Sequence, residues 1–132
     1  MKEGKALYAK ATKRYREADV LTARPEVLLV RLLARAASRA EQGARATEAA
    51  HWEEAGQALC SAQAILAELR NSLDLQQAPL AANLDQLYAF CQEGLLGGGM
   101  RKDPETLRTV ARILGELHAT WVEALGHGEG VP

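Results

Sequence analysis

The sequence predicts an all-α domain, an antiparallel up-and-down four-helix bundle with an N-terminal arm. Three observations carry that expectation. Apolar residues recur at alternating steps of three and four in four separate stretches, and no stretch alternates as a half-buried strand would. The connections between these stretches are short, which makes consecutive helices antiparallel neighbours. The composition is 48% hydrophobic but only 5% aromatic, so alanine and leucine fill the core, as suits closely packed helices.

The first helix runs from Pro25 to about Glu48, with Leu29, Leu33, Ala36, Ala40, Gly43 and Thr47 at helical spacing. Its opening turns are apolar on nearly every side: Val27, Leu28, Leu29, Val30, Leu32 and Leu33 are interrupted only by Arg31. A bundle helix needs an apolar stripe rather than an apolar cylinder, so this surplus calls for a cover. The second helix has the clearest seam, Trp52, Ala55, Leu59, Ala62, Leu66, Leu69 and Leu73. It fades in "NSLDLQQAP". A third helix starts near Pro79 or Leu80, turns Leu84, Leu87, Cys91 and Leu95 inward, and is expected to stop at Gly97-Gly98-Gly99, because each helical glycine costs about 1 kcal/mol relative to alanine. The fourth announces its start with Asp103 as N-cap, Pro104 in the first helical position and Glu105 beside the positive helix end. Leu107, Val110, Leu114, Leu117, Trp121 and Leu125 share one face. The expected organisation is therefore an arm over 1–24, a bundle over 25–125 and a loose tail over 126–132.

A chain of 132 residues is one ordinary domain. Its net charge of −1 gives no global attraction to nucleic acid or anionic membrane. No apolar run approaches the roughly 20 residues of a membrane-spanning helix, and the polar N-terminal stretch lacks the apolar region of a secretory signal. Cys60 and Cys91 fall within helical patterns without CxxC spacing and read as free, buried thiols of a reducing cytoplasm. The arm is basic through Lys2, Lys5, Lys10, Lys13, Arg14 and Arg16, but Glu3, Glu17 and Asp19 interrupt it and no aromatic residues alternate with its charges for stacking on bases.

Few residues suggest chemistry. Glu48 and His51 have the Glu-x-x-His spacing of di-iron bundles, but a second copy is missing and the two flank the expected turn between the first two helices. His118 borders the core stripe and His127 falls in the tail. "GLLGGGM" follows a helix rather than a strand and lacks the Lys-Ser/Thr ending of a phosphate loop. Ser38, Ser61 and Ser72 have no base arranged around them. The expectation is a protein without catalytic residues, metal or cofactor. Both tryptophans lie on inward seams and read as core. What remains is apolar surplus: Ala58 and Ile65 beside the second seam, Tyr88 and Phe90 off the third, and the cylinder of the first helix. Such a surface marks a partner site or one that the chain covers itself.

In order and spacing these residues resemble a family. Tyr15, Val20, Thr22, Ala23, Pro25 and Leu28, then Ser61-Ala62-Gln63 running into "ILAELRNSLD", "NLDQLYAF" from Asn83 to Phe90, "RKDPETL" from Arg101 to Leu107, and Trp121 resemble the flagellar secretion chaperone FliS family. The likeness spans about Tyr15 to Leu125. Two departures stand out: Leu32-Leu33-Ala34-Arg35 where the family usually has Leu-Tyr-Asp-Gly, and Gly97-Gly98-Gly99 in place of a helical stretch. The resemblance implies a non-enzymatic cytoplasmic chaperone. Its client would be the disordered C-terminal segment of flagellin, kept from premature polymerisation and delivered to the flagellar export gate protein. It also implies a tyrosine-bearing arm that covers apolar surface in the free protein. Tyr15, Val20, Leu28, Leu32, Ala58, Ala62, Ile65 and Tyr88 are the residues expected to serve client or lid. Without the resemblance, a helical adaptor with no flagellar role fits the bundle equally well.

Overall fold

A computed structural model describes residues 25–73 and 78–127. It contains α1 (Pro25–Glu48), α2 (Trp52–Asn71), α3 (Ala78–Met100) and α4 (Pro104–His127), and no strand among the described residues. α1 packs along α2 and α4, and α3 packs along the same two helices, which closes the up-and-down ring. The arm residues Tyr15 and Val20 lie outside the described residues, as does the tail from 128 onward.

The core follows the four seams closely. Leu33, Ala36, Ala40 and Ala44 of α1 meet Ala62, Leu66 and Leu69 of α2, Tyr88, Cys91 and Leu95 of α3, and Leu107, Val110 and Leu114 of α4, all buried in one cluster. Leu84, Leu117 and Trp121 pack against its edge. Alanine and glycine dominate the α1 seam, so the backbones approach closely. A Cβ on Gly43 would sit 2.5 Å from Leu59 Cδ2, a clash that the missing side chain avoids.

Two helix ends differ from expectation. α3 does not stop at Gly97 but runs through all three glycines to Met100. Neighbours occupy the space that side chains would need: Leu107 Cδ2 lies 2.8 Å from a Cβ built on Gly98, and Leu59 Cδ1 lies 3.0 Å from one on Gly99. Tertiary packing here outweighs a poor intrinsic propensity, as it does in most protein helices. α4 likewise continues past Leu125 to His127.

The α1–α2 and α3–α4 connections share one design. Ala50 and Lys102 adopt left-handed backbone, with φ of 61° and 52°. In the first turn, His51 N–H donates to Ala46 O at 2.8 Å and Ala50 N–H to Thr47 O at 3.1 Å. In the second, Asp103 N–H donates to Gly98 O at 2.8 Å and Lys102 N–H to Gly99 O at 3.2 Å. Both are Schellman endings, which satisfy the last carbonyls of a helix with the two residues after it.

Candidate functional site

The residues expected to meet a client divide by helix. Leu28 and Leu32 stand on α1, Ala58, Ala62 and Ile65 on α2, and Tyr88 on α3. All six are buried, and Tyr88 is the largest of the fully buried side chains. The expectation that Ile65 and Tyr88 lie off the seams is therefore corrected: both belong to the main core cluster. The seams of α2 and α3 are wider than strict steps of three and four suggest, because each helix faces two neighbours and not one. Buried as they are, these side chains become accessible only when an element covering them moves.

The accessible apolar surface lies elsewhere. Leu80, Phe90, Leu96 and Met100 are exposed on α3, Trp52 at the start of α2 and Val122 on α4. Only Phe90 was anticipated as surplus. A usable signal for the rest of the α3 surface was its composition: Asp85 and Glu93 are the only charged residues between Ala78 and Met100. A helix so poor in charge contrasts only weakly between the face it buries and the face it shows to water.

Trp52 is a correction. It is 49% exposed, not core, and its ring lies under Lys102 Nζ at 4.5 Å from the centroid. The first residue of a helix that begins at a tight turn sits at the rim of the bundle, where seam spacing no longer guarantees burial. Lys102 projects from the other turn at the same end, so the cation–π contact ties one turn to the other. Arg108 of α4 pairs with Glu48 of α1 close by. Glu48 thus bonds to an arginine, and His51 Nδ1 lies 3.9 Å from Glu54 Oε1. The two flank the turn as expected, and no metal-holding cluster of His, Cys, Asp or Glu occurs among the described residues.

The polar ties between α2 and α3 centre on Arg70. Its Nε donates to Asp85 Oδ1 at 2.8 Å, Nη2 to Asp85 Oδ2 at 3.1 Å, and Nη1 to Gln92 Oε1 at 2.9 Å. This forked pairing holds the Asp85 carboxyl below its ordinary range, chiefly through the hydrogen bond from Arg70. Gln63 Nε2 adds a bond to Gln92 O at 2.8 Å. At the start of α4, Asp103 caps as its position predicts. Oδ1 accepts from the N–H groups of Glu105 and Thr106, and Oδ2 accepts from Thr106 Oγ1 at 2.6 Å. The Thr106 bonds hold this carboxyl below its usual range as well. His51, in the equivalent place before α2, makes no side-chain cap.

The two cysteines differ. Cys91 is buried, and burial raises its thiol to about 11. Cys60 is exposed on the outer side of α2, contrary to the expectation of two buried thiols. No described helix is long and apolar enough to cross a membrane.

Residues 8–127 match the family described as flagellar protein FliS. Among curated proteins, the flagellar secretion chaperone FliS of Vibrio cholerae is 29% identical over 106 residues, covering 80% of this chain and 78% of that protein. The flagellar secretion chaperone FliSB of Pseudomonas aeruginosa is 32% identical over 121 residues, covering 87% of this chain and 96% of its own length. With a match that spans all four helices, the chain belongs to the FliS family of flagellar proteins.

Proposed function

We propose that this protein is a cytoplasmic export chaperone that binds the disordered C-terminal segment of flagellin, prevents its premature polymerisation and assists its delivery to the export gate protein. The observation that carries this reading is the family match across 8–127, which includes every helix. The apolar surface of α3 suits the role, since a disordered client has to gain many modest contacts. Each large side chain buried contributes about 1.5–3 kcal/mol, against roughly 1–2 kcal/mol for each backbone residue ordered. Long surfaces serve such clients better than one deep pocket.

In this reading Phe90, Leu96 and Met100 offer first contact, because they are open in the free protein. Leu28, Leu32, Ala58, Ala62, Ile65 and Tyr88 are reached afterwards, as covering elements give way. Tyr15 and Val20 act as a lid that competes with the client, so that release needs no nucleotide. No catalytic step, metal or cofactor enters this account.

Calorimetry with intact flagellin and with flagellin lacking its C-terminal segment tests the reading. Binding near one to one, with a negative heat-capacity change and a gain of helix, is expected for the intact client alone. Equal binding of both forms, or of neither, overturns it in favour of a helical adaptor with other partners. Removing residues 1–17 tests the lid: dye binding to apolar surface and flagellin affinity both change if the arm covers that surface, and neither changes if it does not.

A further inference from the structure

Among the described helices, α3 is the one its neighbours hold least firmly. α1 packs far more extensively along α2 and α4 than α3 does along either of them. Gly94, Gly97, Gly98 and Gly99 crowd its last two turns, and each is a weaker helix former than alanine. An amphipathic helix is seated by the contrast between an apolar face and a polar one. In α3 that contrast is small: Tyr88, Cys91 and Leu95 are buried, while Leu80, Phe90, Leu96 and Met100 already face solvent. Its polar ties to α2 converge on Arg70, which grips Asp85 and Gln92, and on the Gln63 bond to the Gln92 carbonyl.

The two ends of α3 are not equivalent. Its C-terminal end is closed into the tight turn before α4 by the bonds to Gly97, Gly98 and Gly99 carbonyls. Asp85, the residue that Arg70 holds in its fork, lies in the N-terminal half. We propose that α3 opens from the bundle as a unit, pivoting near Gly97–Gly99 and releasing the Arg70 latch, while α1, α2 and α4 stay packed. Opening presents the inner face of α3, with Tyr88 and Leu95, together with the seam of α2 that it covers. The proposal concerns the free chain and does not depend on the identity of any client.

Once detached, a single helix this rich in glycine is marginal in water and frays, so its backbone amides exchange without global unfolding. Hydrogen exchange of the full, unmodified chain, followed by mass spectrometry, is the direct test. Peptides within 78–96 should exchange at least about tenfold faster than those within 28–46 and 107–121, with a shallower dependence on denaturant. Cys91 supplies a second readout, since its buried thiol reacts only when α3 lifts. In a Cys60→Ser background, Asp85→Asn should speed alkylation of Cys91 at least about threefold, with a denaturant dependence that stays shallower than that of α1 exchange. Exchange of α3 and α1 in one cooperative event with the same denaturant slope overturns the proposal. So does an Asp85→Asn variant whose Cys91 is alkylated no faster than that of the parent chain.

Discussion

α1 and α3 look alike in sequence and are treated differently by the fold. Each has more apolar side chains than one seam can use. In α1 the surplus is absorbed: Leu28, Leu32 and Leu33 are all buried. Ala36, Ala40, Gly43 and Ala44 draw α2 and α4 close on either side, so a wide arc of the helix is covered. α3 has its glycines only near its C-terminal end, from Gly94 to Gly99, and its outer arc, with Phe90, Leu96 and Met100, stays open. Counting apolar residues therefore says how much surface needs a cover. The placement of small residues says where neighbours can supply one.

The largest expected effects break this contrast at the shared core. Leu66→Ala removes a fully buried side chain and should destabilise by about 2–5 kcal/mol through the cavity left behind. Ile65→Asp, which the seam spacing suggests would spare the fold, should now be comparably severe, because the new carboxylate enters a site only 7% exposed. Phe90→Ser on the outer arc of α3 should change stability by less than about 0.5 kcal/mol. Urea denaturation of the three variants separates the cases. If Phe90→Ser costs as much as Leu66→Ala, the outer arc of α3 is covered and the contrast with α1 is false.

Glycines sharpen the comparison at the next level. A Cβ on Gly94 would lie 2.6 Å from Val110 Cγ2, and Val110 is buried and β-branched, with little rotamer freedom to yield. Gly94→Ala should therefore lose about 1 kcal/mol net, overpacking exceeding the gain in helix propensity. Gly56 on α2 and Gly115 on α4 have nothing within 4 Å of the same position. Alanine at either should stabilise by up to about 1 kcal/mol. Thermal melts of the three single variants check the signs, and a stabilising Gly94→Ala would show that α3 and α4 are less closely packed than described.

Acid should loosen the same ties. Asp85 and Asp103 are both held below the ordinary carboxylate range in the folded state. Their contributions are thus fully present above the unfolded carboxylate pKa and disappear as pH falls through the lower, folded one. Asp85→Asn and Asp103→Asn should each flatten the fall of melting temperature at acid pH, by a modest amount because both groups are near solvent. Unchanged acid curves would mean that neither carboxylate is tied as the geometry indicates.

Much of this architecture was legible because local signals and packing agree. Asp103-Pro104-Glu105 marks the start of α4 by capping chemistry alone, and the inward residues of α4 follow strict helical spacing. The end of α3 was not legible, since Leu59 of α2 and Leu107 of the helix across the next turn fill the space beside Gly99 and Gly98, contacts that α3's own sequence does not show. The candidate surface was read least well. Periodicity ranks faces of one helix, but whether a flank is open depends on the width of its neighbours, and that misplaced Ile65 and Tyr88; Trp52 was misplaced because spacing does not show where the bundle's rim lies.

The smallest effects concern the twin turns. Ala50 and Lys102 both hold left-handed backbone, a conformation that costs an L-residue about 1–2 kcal/mol and glycine almost nothing. Part of the gain on substitution is lost to the greater freedom of glycine in the unfolded chain. Ala50→Gly should therefore stabilise by about 0.5 kcal/mol. Lys102→Gly relieves the same strain but also removes the ammonium over Trp52, an exposed contact worth about 0.5–1 kcal/mol. The two terms nearly cancel, so Lys102→Gly should leave the melting temperature almost unchanged. Adding Trp52→Ala completes a double-mutant cycle. In a Trp52→Ala background the cation has no ring to face, and Lys102→Gly should then stabilise as Ala50→Gly does. If Lys102→Gly stabilises equally with and without the indole, the link between the two turns contributes nothing, and the turn end of the bundle is held by its backbone bonds, the Glu48–Arg108 pair, the Asp103 cap and the packing of Leu59 and Leu107.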